Sequence, residues 1–245
     1  MDLYSVLALA ALIFAAALLY SSVGHGGASG YLMAMALFGL APAVMRPTAL
    51  TLNILVSGIA LYTFWRAGRF SWKLFWPFAA TSIPAAYLGG IYQLPSEYYR
   101  PLLGLVLLYA AWHFLRKPEA ADRPLQPLPV GAALVTGSVL GLLSGLTGVG
   151  GGIFLSPLLL LAGWGLMREV SGVAAAFILV NSVAGLLGVA SHMPALPAAL
   201  PLWAVAAVAG GLIGAEFGSK RLKNDTLQRL LAAVLAIAGA KMLLA

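Results

Sequence analysis

Cysteine is absent from the 245-residue chain, and its absence excludes disulfide bonds and thiolate metal sites. Charged residues are also scarce, at 9% of the chain, whereas hydrophobic residues make up 62%. A water-soluble domain of this length needs far more polar surface than such a composition allows. Alternation of apolar and polar residues over strand length is lacking too, which favours helices over a β-barrel. The composition therefore predicts an all-α integral membrane protein.

Acidic residues are few, and this limits the chemistry that the chain can perform. Apart from Glu97 and Glu169 near loops, Glu216 is the one acid within an apolar segment. The three histidines are dispersed, which makes a poor metal site, and no Gly-x-x-x-x-Gly-Lys-Ser/Thr phosphate loop is present. We expect no metal, no cofactor and no ATP hydrolysis. An intramembrane enzyme is therefore the less favoured alternative to a transport function.

Ten apolar segments can be read along the chain. They span residues 3–22, 27–41, 45–66, 72–93, 98–115, 129–146, 151–164, 168–190, 196–219 and 226–244. The polar stretch 116–128 separates two groups of five, so we predict a first repeat at 1–115, a linker at 116–128 and a second repeat at 129–245. Segments 27–41 and 151–164 are marginal for crossing ~30 Å of hydrocarbon at ~1.5 Å per residue. We expect each to form a helical hairpin with the segment before it.

The two halves match at a fixed offset of 124 residues. The matched pairs include glycines and prolines, which chance apolar similarity does not easily supply: Gly24, Gly26 and Gly27 with Gly148, Gly150 and Gly151, Ile54–Ser57 with Ile178–Asn181, Pro77 with Pro201, and Gly90 with Gly214. The chain is therefore predicted to be an internal duplication.

The basic residues predict how the repeats are oriented. With five segments per half, eleven of the 14 Lys and Arg share one side of the membrane, and Arg46, Arg100 and Lys241 lie on the other. With four segments per half the same residues divide equally. The positive-inside rule prefers the first arrangement, so the repeats are inverted, the linker is cytoplasmic and both termini lie outside the cytoplasm. The net charge of +7 is interpreted as this orientation signal and not as nucleic-acid binding.

Two glycine-rich stretches interrupt the apolar runs, and we call them the helix breaks. Break 1 contains Gly24, His25, Gly26 and Gly27, and break 2 contains Thr147, Gly148, Gly150, Gly151 and Gly152. Glycine lets a ligand approach the main chain, and a helix start offers N–H groups and a positive dipole end to an anion. Close helix packing also explains glycine. Because broken segments at matching positions of two repeats are the best pointer to a transporter's binding site, we predict an anion site between the breaks.

The second break also resembles a family motif. The run Gly145–Gly152, followed by Pro157 and Gly163, is similar to the signature of the sulfite exporter (TauE/SafE) family, as is the stretch Gly214–Gly218. The first break has His25 where that family has a small or apolar residue. The resemblance implies transport of sulfite, or of an organic sulfonate, across the bacterial inner membrane.

Polar residues within the apolar segments complete the predicted site. Asn53 and Ser57 share one face of their segment, and Asn181 occupies the matching region of the second half. His25 can hydrogen-bond the anion or carry a coupled proton, or it can be a neutral histidine bonded to a backbone carbonyl. Arg46 draws anions inward or is an interfacial arginine. Glu216 carries a proton or pairs with Lys220 four residues later.

The expected function is that of a secondary transporter. A small sulfur oxyanion or sulfonate binds between the breaks, crosses the lipid bilayer by alternating access, and moves with its own gradient or with protons. A passive anion channel shares every motif and is the alternative. The sequence does not determine the oligomeric state.

Overall fold

The computed structural model describes residues 2–92, 125–190 and 195–220 continuously, and single residues between 95 and 115 and between 229 and 244. The continuous stretches form eight α-helices and no strand. These helices are α1 (Leu3–Ser21), α2 (Ala28–Leu37), α3 (Pro42–Arg66), α4 (Trp72–Ile91), α5 (Val130–Thr147), α6 (Gly152–Leu161), α7 (Met167–Val189) and α8 (Leu200–Lys220). Six of the eight are long and apolar enough to cross a membrane. The prediction of an all-α integral membrane protein is confirmed.

The two short helices are the segments that follow the breaks. Helices α2 and α6 have 10 residues each, which at ~1.5 Å per residue covers about half of the hydrocarbon thickness. Helices α1 and α5 before them have 19 and 18 residues. A long helix thus precedes each break and a short one follows it. Helix α2 packs against α1 as a hairpin, whereas α6 packs against α7 and makes few contacts with α5, so the expected hairpin is observed in the first half only.

Much of the predicted division into repeats falls outside the described residues. This applies to most of segments 98–115 and 226–244, to most of linker 116–128, and to Arg100, Arg116, Lys117, Arg123, Arg221, Lys223 and Lys241. Within the two outer segments, the described residues Gly104 and Gly239 pack against each other. The domain boundaries and the cytoplasmic position of the linker stay predictions.

The N-terminus shows how a local signal starts a helix. The Asp2 carboxylate accepts a hydrogen bond from the Ser5 backbone N–H at 3.3 Å and so caps α1. Hydrogen bonding by Ser5 lowers the pKa of the Asp2 carboxyl. Helix α3 instead has a proline in its first turn, where the missing N–H costs nothing.

Two helix pairs pack through glycine. The glycines concerned lie four residues apart: Gly137, Gly141 and Gly145 on α5, and Gly210, Gly214 and Gly218 on α8. A Cβ at Gly141 would overlap the backbone of Ser82 on α4, and one at Gly214 would overlap the backbone of Leu18 on α1. Close backbone approach of this kind is how small residues stabilise helix pairs in a membrane.

These pairs exchange helices between the two halves of the chain. Helix α1 packs on α8, and α5 packs on α4, so each pair joins the first helix of one half to the fourth helix of the other. Helix α3 likewise contacts α8, and α7 contacts α4. Matched by the offset of 124, the two sets of contacts are equivalent. Equivalent contacts of this kind are consistent with a two-fold relation between the halves, and the duplication itself stays a prediction.

Helices α3 and α7 form the centre of the protein. In their apolar spans, 56% and 72% of residues are buried, against 28% for α1 and 33% for α8. The two central helices contact each other, while large apolar side chains such as Leu7 and Val205 are exposed on α1 and α8. Because lipid is as apolar as those side chains, the outer helices suit contact with the bilayer and the central pair is shielded from it.

Candidate functional site

Both breaks contain backbone that only glycine adopts easily. Gly24 and Gly27 have φ of 81° and 100°, and Gly148, Gly150 and Gly151 have φ of 78°, 80° and 77°. A side chain in this left-handed region is strained. The conformation ends α5 at Gly148 and starts α2 and α6 after Gly27 and Gly151. Backbone geometry thus explains these five glycines, whereas Gly26 and Gly152 are explained by close packing against Asn53 and Ile178.

The starts of α2 and α6 lie in the interior of the protein, and their first backbone N–H groups precede the helical hydrogen bonds. Their first helical hydrogen bonds run from the Tyr31 N–H to the Gly27 carbonyl at 2.9 Å and from the Phe154 N–H to the Gly151 carbonyl at 3.0 Å. The N–H groups of the residues between lie before the helical ladder, where no intrahelical acceptor exists. Neither start has a side-chain cap. Both starts therefore have the chemistry of an anion-binding helix terminus.

The breaks meet at the side chain of Asn53 on α3. Gly26 faces its Oδ1 and Gly150 faces its Nδ2, so closely that a Cβ at either glycine would overlap the amide. Ile178 on α7 lies against the same two glycines. The structure thus brings Gly26 and Gly150 together at Asn53, and both glycines lie against the central helices α3 and α7.

Asn53 is fully buried and only partly hydrogen-bonded. Its Nδ2 donates to the Ser182 Oγ at 3.1 Å and to the Val149 carbonyl at 3.4 Å. Its Oδ1 has no hydrogen-bond partner within the protein. A buried polar atom without a partner costs free energy and calls for an explanation. A ligand or water bound between the breaks is the explanation that this position suggests.

His25 links the two breaks directly. Its Nδ1 lies 3.2 Å from the Val23 carbonyl in break 1, and its Nε2 lies 3.2 Å from both the Gly152 carbonyl and the Ser156 Oγ at the start of α6. Only 2% of His25 is exposed. The histidine is therefore an interior group shared by both halves, and carbonyl bonding alone does not describe it.

Other polar groups around the breaks were missed or left open by sequence reasoning. The Tyr31 hydroxyl donates to the Gly26 carbonyl at 2.6 Å, and Ser29 donates to the Tyr20 hydroxyl at 2.7 Å. Ser144 packs against Gly151, and its buried hydroxyl has no partner within the protein. Ser156 follows Gly152 by four residues, one helical turn, and this spacing is the signal that places it beside the break.

Three predicted site residues are bonded mainly within their own helices. The Ser57 hydroxyl donates to the Asn53 carbonyl at 2.6 Å, and the Asn181 amide donates to the Phe177 carbonyl at 2.7 Å, which leaves the buried Asn181 Oδ1 without a partner. The Thr147 hydroxyl donates to the Leu143 carbonyl and accepts the Val149 N–H at 3.4 Å. Of the three, Thr147 stabilises a break, and the other two lie on the central helices.

Arg46 caps the ends of two helices. Its guanidinium donates to the carbonyls of Gly89 at 2.7 Å, Gly90 at 3.0 Å and Tyr92 at 2.8 Å, at the end of α4, and also to the Gly145 carbonyl on α5. Its side chain packs against Gly148 of break 2. A cation is stabilised at helix C-termini, so the observed role of Arg46 is to tie α3, α4 and α5 beside the site.

Glu216 is placed differently from the buried residues above. It is exposed on α8, two residues before Gly218, which packs on the backbone of Ser22 next to break 1. The side chain of its predicted partner Lys220 lies outside the described residues. Within the part of the chain that the structure describes, no three His, Cys, Asp or Glu form a group that could hold a metal ion.

The fold is that of a polytopic helical membrane protein, with two glycine breaks that meet at its centre. The sequence profile of the family described as "Sulfite exporter TauE/SafE" matches residues 9–242. The chain is also 43% identical over 239 residues to a protein named "Probable membrane transporter protein y4hK" from Sinorhizobium fredii (strain NBRC 101917 / NGR234), covering 96% of this chain and 97% of that protein. The chain belongs to the sulfite exporter TauE/SafE family. No solved structure matches it.

Proposed function

We propose that this protein is a secondary transporter that carries a small sulfur-containing anion, sulfite or an organic sulfonate, between the two breaks. The observation that carries the proposal is the convergence of both breaks on Asn53, whose Oδ1 is buried without a partner. Family membership supports the transport function, and the family description supports the sulfur chemistry of the substrate. We place the protein in the bacterial inner membrane, with both termini outside the cytoplasm.

The chemistry around Asn53 suits an oxyanion. The starts of α2 and α6 supply N–H groups and two positive dipole ends, and the Ser144 hydroxyl adds a donor. The Asn53 Nδ2 adds another when it exchanges its long 3.4 Å hydrogen bond to the Val149 carbonyl for one to the anion. Among the described residues no Asp or Glu is buried, so no interior carboxylate opposes a bound anion. Asn53 Oδ1 accepts a hydrogen bond from a protonated oxyanion such as hydrogen sulfite. The site therefore favours small anions with several oxygen atoms.

The contacts of each break with the central helices support alternating access. Gly24 packs on Ser171 near the start of α7, and Gly148 packs on Arg46 near the start of α3. With the repeats inverted, those two helix starts face opposite sides of the membrane. Each break then closes the path on its own side of Asn53. Movement of one hairpin at a time opens the anion to the cytoplasm or to the outside.

Flux into proteoliposomes tests the proposal. Purified protein is reconstituted, and uptake of radiolabelled sulfite, thiosulfate and a small alkyl sulfonate is measured against empty liposomes. We expect saturable uptake that is accelerated by the same anion on the opposite side, because a carrier returns faster when loaded. Flux equal to that of empty liposomes for every anion would contradict the proposal. Flux that rises linearly with concentration, without acceleration from the opposite side, indicates a passive channel.

A further inference from the structure

The surroundings of the His25 ring can satisfy both its neutral and its protonated form without any movement of the ring. In the neutral imidazole, Nδ1–H donates to the Val23 carbonyl at 3.2 Å and Nε2 accepts the Ser156 hydroxyl proton at 3.2 Å. In the imidazolium, Nε2–H donates to the Gly152 carbonyl at 3.2 Å instead, and the Ser156 hydroxyl turns to another acceptor. A hydroxyl that rotates therefore satisfies the ring in either state.

The charges around His25 leave the imidazolium without a compensating carboxylate. The described titratable and charged groups on the elements that pack around break 1 are Asp2, Tyr4 and Tyr20 on α1, Tyr31 on α2, Arg46, Tyr62 and Arg66 on α3, Arg69 before α4, Glu169 on α7 and Glu216 on α8. Glu169 is only partly buried and Glu216 is exposed, while the groups within hydrogen-bond distance of the ring, Ser156 and the carbonyls of Val23 and Gly152, are neutral. A buried charge that is unpaired is costly. An anion bound between the breaks supplies the missing negative charge.

We propose that His25 is the proton-binding site of this transporter and takes up a proton together with the anion. The inference rests on the proposed function, since the anion is what stabilises the imidazolium. A proton from water on one side adds to the Nε2 lone pair, and the ring and the anion then form a neutral pair inside the protein. The breaks close on this pair more readily than on the anion alone, because a net charge is not carried through the interior. Anion transport is thereby coupled to protons moving in the same direction.

Proton uptake on anion binding tests this assignment. Isothermal titration calorimetry of a small alkyl sulfonate into the detergent-solubilised protein is repeated in two buffers of different ionisation enthalpy. The sulfonate keeps its own charge between pH 5 and 8, so any proton exchanged belongs to the protein. We expect net uptake of up to one proton per anion in the upper part of this range, and affinity that falls as pH rises. Affinity that is independent of pH, with no proton taken up, would overturn the proposal.

Two variants assign the proton to the ring. In His25→Gln the affinity that remains should show no proton uptake, because an amide does not titrate; uptake equal to that of the wild type would overturn the assignment. Ser156→Ala removes the donor that stabilises neutral Nε2 while the Gly152 carbonyl remains. The pH at which anion affinity is half lost should then rise by about 0.7 pH unit, which corresponds to the loss of one neutral hydrogen bond to the unprotonated ring. If His25 had only a structural role, this midpoint would not rise. A midpoint of the pH dependence that is unchanged in Ser156→Ala would therefore contradict the proposal.

The same titrations separate this inference from the proposed function. If no sulfur anion binds the wild-type protein at any pH, the anion site itself is refuted. If anions bind and are transported without proton uptake, the proposed function stands and His25 is not the proton site.

Discussion

Replacing Asn53 by leucine separates the anion site from the stability of the fold. Leucine has the same branched outline as asparagine, so it is the apolar replacement that disturbs the contacts with Gly26 and Gly150 least. The change removes two Nδ2 hydrogen bonds, to Ser182 and to the Val149 carbonyl, worth about 1 kcal/mol each. It also removes the buried Oδ1 that has no partner, whose burial costs about 1–3 kcal/mol. Because the Val149 carbonyl and the Ser182 hydroxyl also lose a donor, the two contributions cancel only in part, and the unfolding temperature should fall by a few degrees.

Anion binding should respond far more strongly. A hydrogen bond to a charged group is worth about 1.5–3 kcal/mol, so the affinity for a sulfur anion should fall roughly 10- to 100-fold. Thermal unfolding in detergent, with and without anion, measures this. An anion present at 100 times its dissociation constant stabilises the wild type by about 2.7 kcal/mol, and the same concentration should stabilise Asn53→Leu by only about 0.4–1.4 kcal/mol.

Thr51→Val is the matched control for this prediction. The Thr51 hydroxyl lies on the same helix as Asn53 and donates to the Pro47 carbonyl at 2.8 Å, within α3. The control should keep the full stabilisation by the anion. Asn53→Leu protein that is stabilised as strongly as the wild type would refute the site, since the anion then binds elsewhere. A large fall in its unfolding temperature without anion would show that the amide is mainly a structural tie.

Three further experiments test the packing beside the site and the orientation of the chain in the membrane. Gly150→Ala should destabilise the protein by several kcal/mol in thermal unfolding, because its Cβ meets the Asn53 amide at a φ of 80°; Gly58→Ala, whose Cβ meets nothing within 4 Å on α3, should instead stabilise it by up to about 1 kcal/mol. Arg46→Lys should lower stability by about 1–3 kcal/mol, because an ammonium group does not reach carbonyls on two helices at once as the guanidinium does; an unchanged unfolding temperature contradicts the helix tie. Because the chain has no cysteine, Asp2→Cys and Ser71→Cys report topology. In intact cells without an outer membrane, an impermeant maleimide should label the first and not the second, and the reverse result would invert the predicted orientation.

The family, the class of fold and the position of the breaks follow from the sequence because each depends on local chemistry. A long apolar run in a membrane protein predicts a helix, because only a helix satisfies all of its backbone hydrogen bonds within the segment. All eight described helices coincide with predicted segments within a few residues. Glycines at the breaks are needed for left-handed backbone at Gly24, Gly148 and Gly150, and that requirement is visible in sequence. The short length of α2 and α6 also follows from the sequence, because the apolar segments after the breaks are themselves short.

Which side chains meet at the breaks was decided by tertiary structure. Helices in a membrane are apolar all round, so the sequence does not mark the face of α3 or α7 that turns inward. Asn53 and Ser182, and His25 and Ser156, are 129 and 131 residues apart, so only the packing of one half on the other brings them together. Ser57 and Asn181 lie on the predicted helices but bond within them, because a hydroxyl or amide on a helix can donate to the second lone pair of the carbonyl four residues earlier. Arg46 became a helix tie because the ends of α4 and α5 converge beside it. Local composition determined where the chain breaks, and the crossing of α3 with α7 decided what the breaks enclose.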